Sequence, residues 1–199
     1  MSCAIVGFGK IGQALAHAFA RKNINVTVAS RRPPESLAPE APAIGPTIVA
    51  KSLRDALEAD TIILAVRFEE HGSVAKALPN WEGKTVIDAM NSQAPLEELD
   101  GLLSSAFVAK AFTGAKLVKG FNHLAAATLA TDPVVEGGHR VVFLSSDDED
   151  AVAPVADLVK QLGFAPVELG KLDEGGALVH ARGDIWGPLI FEDLFKKEQ

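Results

Sequence analysis

The chain has 199 residues, 48% of them hydrophobic and 23% charged, which suits one folded domain, or one with a small appendage, with a sizeable core, and argues against a disordered chain. A formal net charge of −7 and a pI near 5.2 exclude the broad basic field that general nucleic-acid or membrane-surface binding requires, so any anion must be held locally. Cys3 is the one cysteine, which excludes an intramolecular disulfide and a cysteine-based zinc cluster; with no export signal in MSCAIVGFGK, the expectation is a cytoplasmic protein without metal or membrane span.

In chain order, CAIVGF (3–8) predicts a buried strand. A helix follows, in which Ile11, Ala14, Leu15, Ala18 and Phe19 recur at i, i+3, i+4, i+7 and i+8 while Lys10, Gln13, His17 and Arg21 face solvent. NVTVAS (25–30) predicts a second strand. Prolines 33, 34, 39, 42 and 46 then predict a loop, because each ring removes a donor and fixes φ, and a short strand follows at 47–50. Ser52 and Asp55 have the spacing of a capping box for a brief helix over 53–58. Next come a strand TIILAV (61–66), a helix over 69–78, a strand TVIDAM (85–90), a broken helix over 96–112 and a strand KLVKGF (116–121). A helical patch (124–130), a strand RVVFLS (140–145), a helix over 148–162 that contains Pro154, and a strand APVEL (165–169) complete the pattern. Strands that alternate with helices and are apolar almost throughout imply a doubly wound α/β fold, its mostly parallel sheet covered on both faces.

GFGKIG places Gly7, Gly9 and Gly12 in G-x-G-x-x-G spacing, with a strand before, a helix after and a second strand soon following. That context marks a Rossmann-type dinucleotide fold. Gly7 permits the tight turn, Gly9 clears room for a pyrophosphate, and Gly12 lets helix and strand approach. The N–H groups around Lys10, Ile11 and Gly12 then meet the anion at the favourable end of the helix dipole.

The end of the second strand selects the cofactor. A unit that binds NAD offers Asp or Glu to the ribose 2′-hydroxyl about 20 residues past the glycines, whereas NADP carries a phosphate there. This chain has Ser30, Arg31 and Arg32, a hydroxyl and two guanidiniums whose forks match phosphate oxygens. The expected cofactor is therefore NADP(H). Pro33 biases Arg32 toward extended backbone.

Other candidates sit where open α/β sheets place ligands, past the carboxyl ends of strands. Arg67 follows the fourth strand and could steer an anionic cofactor or substrate. Asn91 follows the fifth, and Asn122 and His123 follow the sixth. The amides are candidates for the nicotinamide carboxamide or a substrate carbonyl, and His123 for proton transfer. Asp88, inside a strand, reads as a buried hydrogen-bonded carboxylate. Residues 1–170 form the nucleotide domain and 171–199 a compact C-terminal helical extension. In that extension Trp186, Leu189, Ile190, Leu194 and Phe195 form an apolar stripe for the sheet or for a second copy in a homodimer.

The segments AIVGFGKIGQALAHAFARK, VASRRP, ADTIILAVRFEEH, TVIDAMN and LVKGFN, in that order, resemble the F420-dependent NADP oxidoreductases and their bacterial relatives, and the NADPH domain of the STEAP metalloreductases. The resemblance is closest over residues 3–123. It implies hydride transfer between NADP(H) and a small-molecule acceptor of deazaflavin (F420) or flavin type, often in a dimer. It also implies that Ser30, Arg31 and Arg32 take the 2′-phosphate, and that Ala65, Val66, Arg67, Met90 and Asn91 border the nicotinamide. Where family members often continue the fourth strand with proline and the fifth with Thr-Asn-Pro, this chain has Arg67 and Met90-Asn91-Ser92. Two other readings use the same loop and arginines: a reductase of small carbonyls or imines, and a non-catalytic NADPH-binding redox sensor.

Overall fold

A computed structural model describes residues 1–94, 96–180 and 194–197 of the chain. The first strands are β1 (Cys3–Val6), β2 (Val26–Ala29), β3 (Ile48–Ala50), β4 (Thr61–Leu64), β5 (Thr85–Asp88) and β6 (Lys116–Gly120). They pair in parallel in the order β3-β2-β1-β4-β5-β6, as in a doubly wound dinucleotide fold. Successive side chains point to opposite faces, so each strand feeds two cores. Ile5, Val28, Ile63, Ile87 and Val118 pack on one face, with Leu15 and Phe19 of α1 (Lys10–Arg21). Ala4, Val6, Ile62, Leu64, Val86 and Leu117 pack on the other, with Trp81 and Phe112. Each large apolar side chain sealed in this way contributes roughly 1.5–3 kcal/mol.

The α1 stripe falls as its periodicity predicts, with Ala14, Leu15, Ala18 and Phe19 buried. The proline-rich stretch differs from expectation. It holds two short helices, α2 (Pro34–Leu37) and α3 (Glu40–Ile44). Pro34 opens α2 and Pro42 lies in the first turn of α3, where a helix has no use for the missing N–H. Ser52 caps α4 (Leu53–Ala56), accepting from the Asp55 N–H at 3.2 Å. After β4 come a 3-10 turn (Phe68–Glu70) and α5 (His71–Ala75); after β5, a 3-10 turn (Leu96–Leu99) and α6 (Ser104–Ala111).

Beyond β6 the sheet reverses. After α7 (Ala126–Ala130), a two-residue strand β7 (Val134–Val135) turns into β8 (Gly138–Ser145). Both turn residues, Glu136 and Gly137, have positive φ, 51° and 74°, as a two-residue hairpin turn requires. β8 therefore runs antiparallel to β6, and β9 (Ala165–Glu168) returns parallel to β8 after α8 (Glu149–Gln161). Pro154 lies inside α8 and leaves its start at Glu149.

The C-terminal stretch corrects the helical stripe in part. α9 (Gly175–Leu178) is one turn, and β10 (Phe195–Lys197) is an edge strand antiparallel to β8, so Leu194 and Phe195 stand at a sheet edge and not on a helix. Extended backbone there finds hydrogen-bond partners on β8 that a terminal helix would leave unpaired. Trp186, Leu189 and Ile190 lie outside the described residues. Among the described residues no helix is long and apolar enough to cross a membrane.

Candidate functional site

The order β2-β1-β4 sets three loops side by side above the carboxyl ends of those strands. Residues 7–9, 30–32 and 65–67 from these loops, with Leu53, Glu70, Ser73 and Val74, line a cleft of about 470 Å³. Lys10, Ile11 and Gly12 form the first turn of α1 directly behind this lining.

The three glycines of the motif are required for different reasons. Gly7 has φ +106°, and a Cβ there would lie 2.4 Å from the Ala65 carbonyl oxygen. A Cβ on Gly12 would lie 1.8 Å from the Gly7 carbonyl oxygen. Gly9 has φ −87°, open to any residue, and its Cβ would meet no protein atom within 4 Å. The space beside Gly9 belongs to the cleft. α1 begins there with no side-chain cap and no acidic residue in its first turn, its first intrahelical bond running from Gln13 N–H to Gly9 C=O. Bare donors and a cleared approach fit the phosphates of a dinucleotide.

The wall after β2 is basic and tightly turned. Ser30 Oγ accepts from the Arg32 N–H at 3.0 Å, holding both arginines at the cleft. Arg32 forks onto Glu40 of α3, at 2.7 and 3.3 Å, and this hydrogen bonding keeps the Glu40 carboxyl below its ordinary range. Arg31 Nη1 lies 3.0 Å from Glu70 Oε1, and Arg67 donates to the same oxygen from Nη2 at 3.1 Å and Nε at 3.3 Å. Glu70 and Glu40 escaped the sequence reading. The Arg67–Glu70 spacing of three was visible in the sequence; the Arg31–Glu70 meeting was not, because it joins residues from two different strand ends.

The other rim candidates are not among the described residues that line the cleft. Met90 is buried; its N–H donates to Asp88 Oδ1 at 2.9 Å and its carbonyl accepts from Lys119 Nζ at 2.5 Å. Lys119 also donates to Asp88 Oδ2 at 2.9 Å, forming an ion pair whose side chains are 5% and 1% exposed. Asp88 is thus the buried hydrogen-bonded carboxylate expected, and Lys119, a lysine inside an apolar strand, is the partner the sequence reading missed. Asn91 Nδ2 donates to the Asn122 carbonyl at 2.7 Å, and Asn122 Nδ2 donates to Asn91 Oδ1 at 3.1 Å and to the Val179 carbonyl at 2.9 Å. These amides brace two loops. Phe121, with φ +63°, makes the sharp turn that brings Asn122 back to Asn91.

The reading of His123 is corrected. It is 2% exposed, its Nε2 lies 3.0 Å from the Val141 carbonyl and its ring packs on Phe143, so it points into the core and not into the cleft. His180, also buried, accepts from the Ser104 N–H at 3.3 Å through Nε2, and burial, aided by the charge of Lys119, pulls its pKa below the ordinary value. Among the described residues no group of three or more His, Cys, Asp or Glu is placed to hold a metal ion.

The fold is the Rossmann-type doubly wound α/β fold, with its cleft at the carboxyl ends of the parallel strands. Residues 2–92 match the family model described as NADP oxidoreductase, coenzyme F420-dependent. A solved structure of a hypothetical protein from Sinorhizobium meliloti is 39% identical, with a TM-score of 0.92, covering 99% of this chain and 96% of that one. Another, from Arthrobacter sp. FB24 and provisionally described as an F420-dependent NADP reductase, is 26% identical with a TM-score of 0.70, covering 87% of this chain and 86% of that one. Among curated proteins, rat metalloreductase STEAP3 is 26% identical over 171 residues, 84% of this chain and 33% of the relative. The chain thus spans about a third of the length of the curated relatives it matches.

Proposed function

We propose that the chain binds NADP(H) and passes hydride between it and a planar acceptor of deazaflavin (F420) or flavin type. The observation that carries this reading is Gly9: the protein itself does not require a glycine there, yet the bare position opens into a cleft whose next wall is Ser30-Arg31-Arg32. In this reading the amides of Lys10, Ile11 and Gly12 face the pyrophosphate and the arginines take the 2′-phosphate. Ala65, Val66 and Arg67 border the nicotinamide half.

The cofactor supplies the hydride; the chain's part is to grip, align and exclude water. The described residues that line the cleft include no His, Cys or Lys, and the sequence has no Tyr. With His123 sealed in the core, an acceptor whose ring nitrogen takes its proton from water suits this cleft better than a carbonyl or imine that needs a dedicated donor. The metalloreductase names of the curated relatives add ferric chelates to the acceptors worth testing.

The test begins with calorimetry. Replacing Arg31 and Arg32 together by Ala is expected to weaken NADPH at least about tenfold, since each charge-assisted hydrogen bond contributes roughly 1.5–3 kcal/mol, and to leave NADH nearly unchanged. Equal losses for both would remove the 2′-phosphate assignment. NADPH oxidation is then followed with F420, FMN, FAD, ferric chelates and a carbonyl panel. Turnover with carbonyls alone would overturn the planar acceptor, and tight binding without turnover would leave the redox sensor.

A further inference from the structure

We propose that Glu70 is a built-in competitor for Arg31: it straps the cleft mouth, and the 2′-phosphate of the cofactor must take Arg31 from it. Glu70 thereby sets how tightly and how fast the phosphorylated dinucleotide is taken up. This rests on the NADP(H) reading above and adds a residue that works against it.

Three observations carry the inference. The first is topological. Arg31 follows β2, Glu70 follows β4, and β1 lies between those strands, so an ion pair between them crosses above the glycine loop from one wall of the cleft to the other. The second is an asymmetry of freedom. The Glu70 side chain is 17% exposed, whereas those of Arg31 and Arg67 are 79% and 77% exposed. The carboxylate is the fixed post and the guanidiniums are its movable ends. The third is the quality of the contact. Arg31 meets Glu70 through Nη1 alone, and Arg67 already uses the same Oε1 through two nitrogens.

A phosphate offers three oxygens to the guanidinium fork, so it outbids a shared, single-point carboxylate contact. Ion pairs this exposed are weak, and the strap therefore opens readily. Yet Arg31 is drawn toward the wall opposite Ser30, and a phosphate arriving at Ser30 meets the carboxylate of Glu70 lining the same cleft, with, among the described residues, only Arg67 left to offset its charge. Both effects tax the 2′-phosphorylated cofactor. Glu40 differs, because it does not line the cleft and its fork holds Arg32 on the β2 side.

The experiment compares wild type with Glu70→Gln, which keeps shape and removes charge. Dissociation constants and stopped-flow association rates are measured for NADPH, NADH and adenosine 2′,5′-bisphosphate, with the urea unfolding midpoint of each protein as a folding control. Expected are three- to tenfold tighter and faster binding of NADPH and of the bisphosphate, the range an exposed pair can return, and a smaller gain for NADH. Unchanged or weaker NADPH binding in Glu70→Gln would overturn the strap, weaker binding meaning that Glu70 presents Arg31 to the phosphate instead of withholding it. A wild-type chain that binds neither NADPH nor the bisphosphate would overturn the parent reading instead, so the two failures are distinct.

Discussion

Two polar clusters sit at the same rim of the sheet and obey opposite physics. At the cleft mouth the exposed guanidiniums of Arg31 and Arg67 meet the largely covered carboxylate of Glu70, and pairs with so exposed a partner are worth about 0–1 kcal/mol and can be exchanged for a ligand at little loss of stability. At the carboxyl ends of β5 and β6, Lys119, Asp88 and the Met90 backbone meet with almost no exposure. There each charge depends on the other, and removing one partner strands its counterpart in a low-dielectric interior. The rim therefore divides into a part that can trade partners and a part that holds the loops still. The cleft is lined by the first, even though Asn91, Asn122 and His123 occupy equivalent strand-end positions.

Breaking the sealed cluster should have the largest effect. Lys119→Met is expected to cost about 3–5 kcal/mol in urea unfolding, with Asp88 left unpaired, and Lys119→Met combined with Asp88→Leu should recover part of the loss. A single variant as stable as wild type would show that the pair is no more than a surface contact.

The next contrast lies inside the glycine motif. Gly12→Ala drives a Cβ into the Gly7 carbonyl and is expected to destabilise by roughly 1–3 kcal/mol, whereas Gly9→Ala should move stability by no more than about 0.5 kcal/mol yet abolish detectable NADPH binding. Calorimetry and thermal melts separate the two. Wild-type affinity in Gly9→Ala would place the phosphates elsewhere.

The smallest effect is a pH dependence at His180. Burial depresses its folded pKa below the ordinary 6.5, so the unfolded chain takes up a proton that the folded chain refuses. The stability it contributes is complete above pH 6.5 and is lost as pH falls below that value. The urea midpoint should therefore drop from pH 7.5 to about 5.5 in wild type and drop less in His180→Asn. Equal slopes would exclude His180 as the titrating group.

Much of the cleft was legible because it is written locally. The Gly7-Gly9-Gly12 spacing, the α1 stripe, the Ser52 cap and the arginines after β2 each depend on residues a few positions apart. The short helices among the prolines were not, since a proline excludes the helix interior but is tolerated in a first turn, and distinguishing the two requires knowing where the helix starts. β7 escaped notice because two residues carry no period. His123 was misread because a strand-end position says that a residue is near the rim, not whether the chain turns its side chain inward. Here the positive φ of Phe121 decides that turn.

By itself, then, the sequence determined the alternating elements, the doubly wound class, the glycine turn and the pair of arginines after the second strand, because backbone propensity, side-chain period and charge type are properties of neighbouring residues. Tertiary structure alone decided that β8 reverses, that Lys119 finds Asp88, that Asn91 and Asn122 brace each other, and that Glu70 reaches Arg31 across β1. Periodicity specifies which face of an element is buried but carries no record of what lies against it, and ion pairs act through space between residues that the chain keeps far apart.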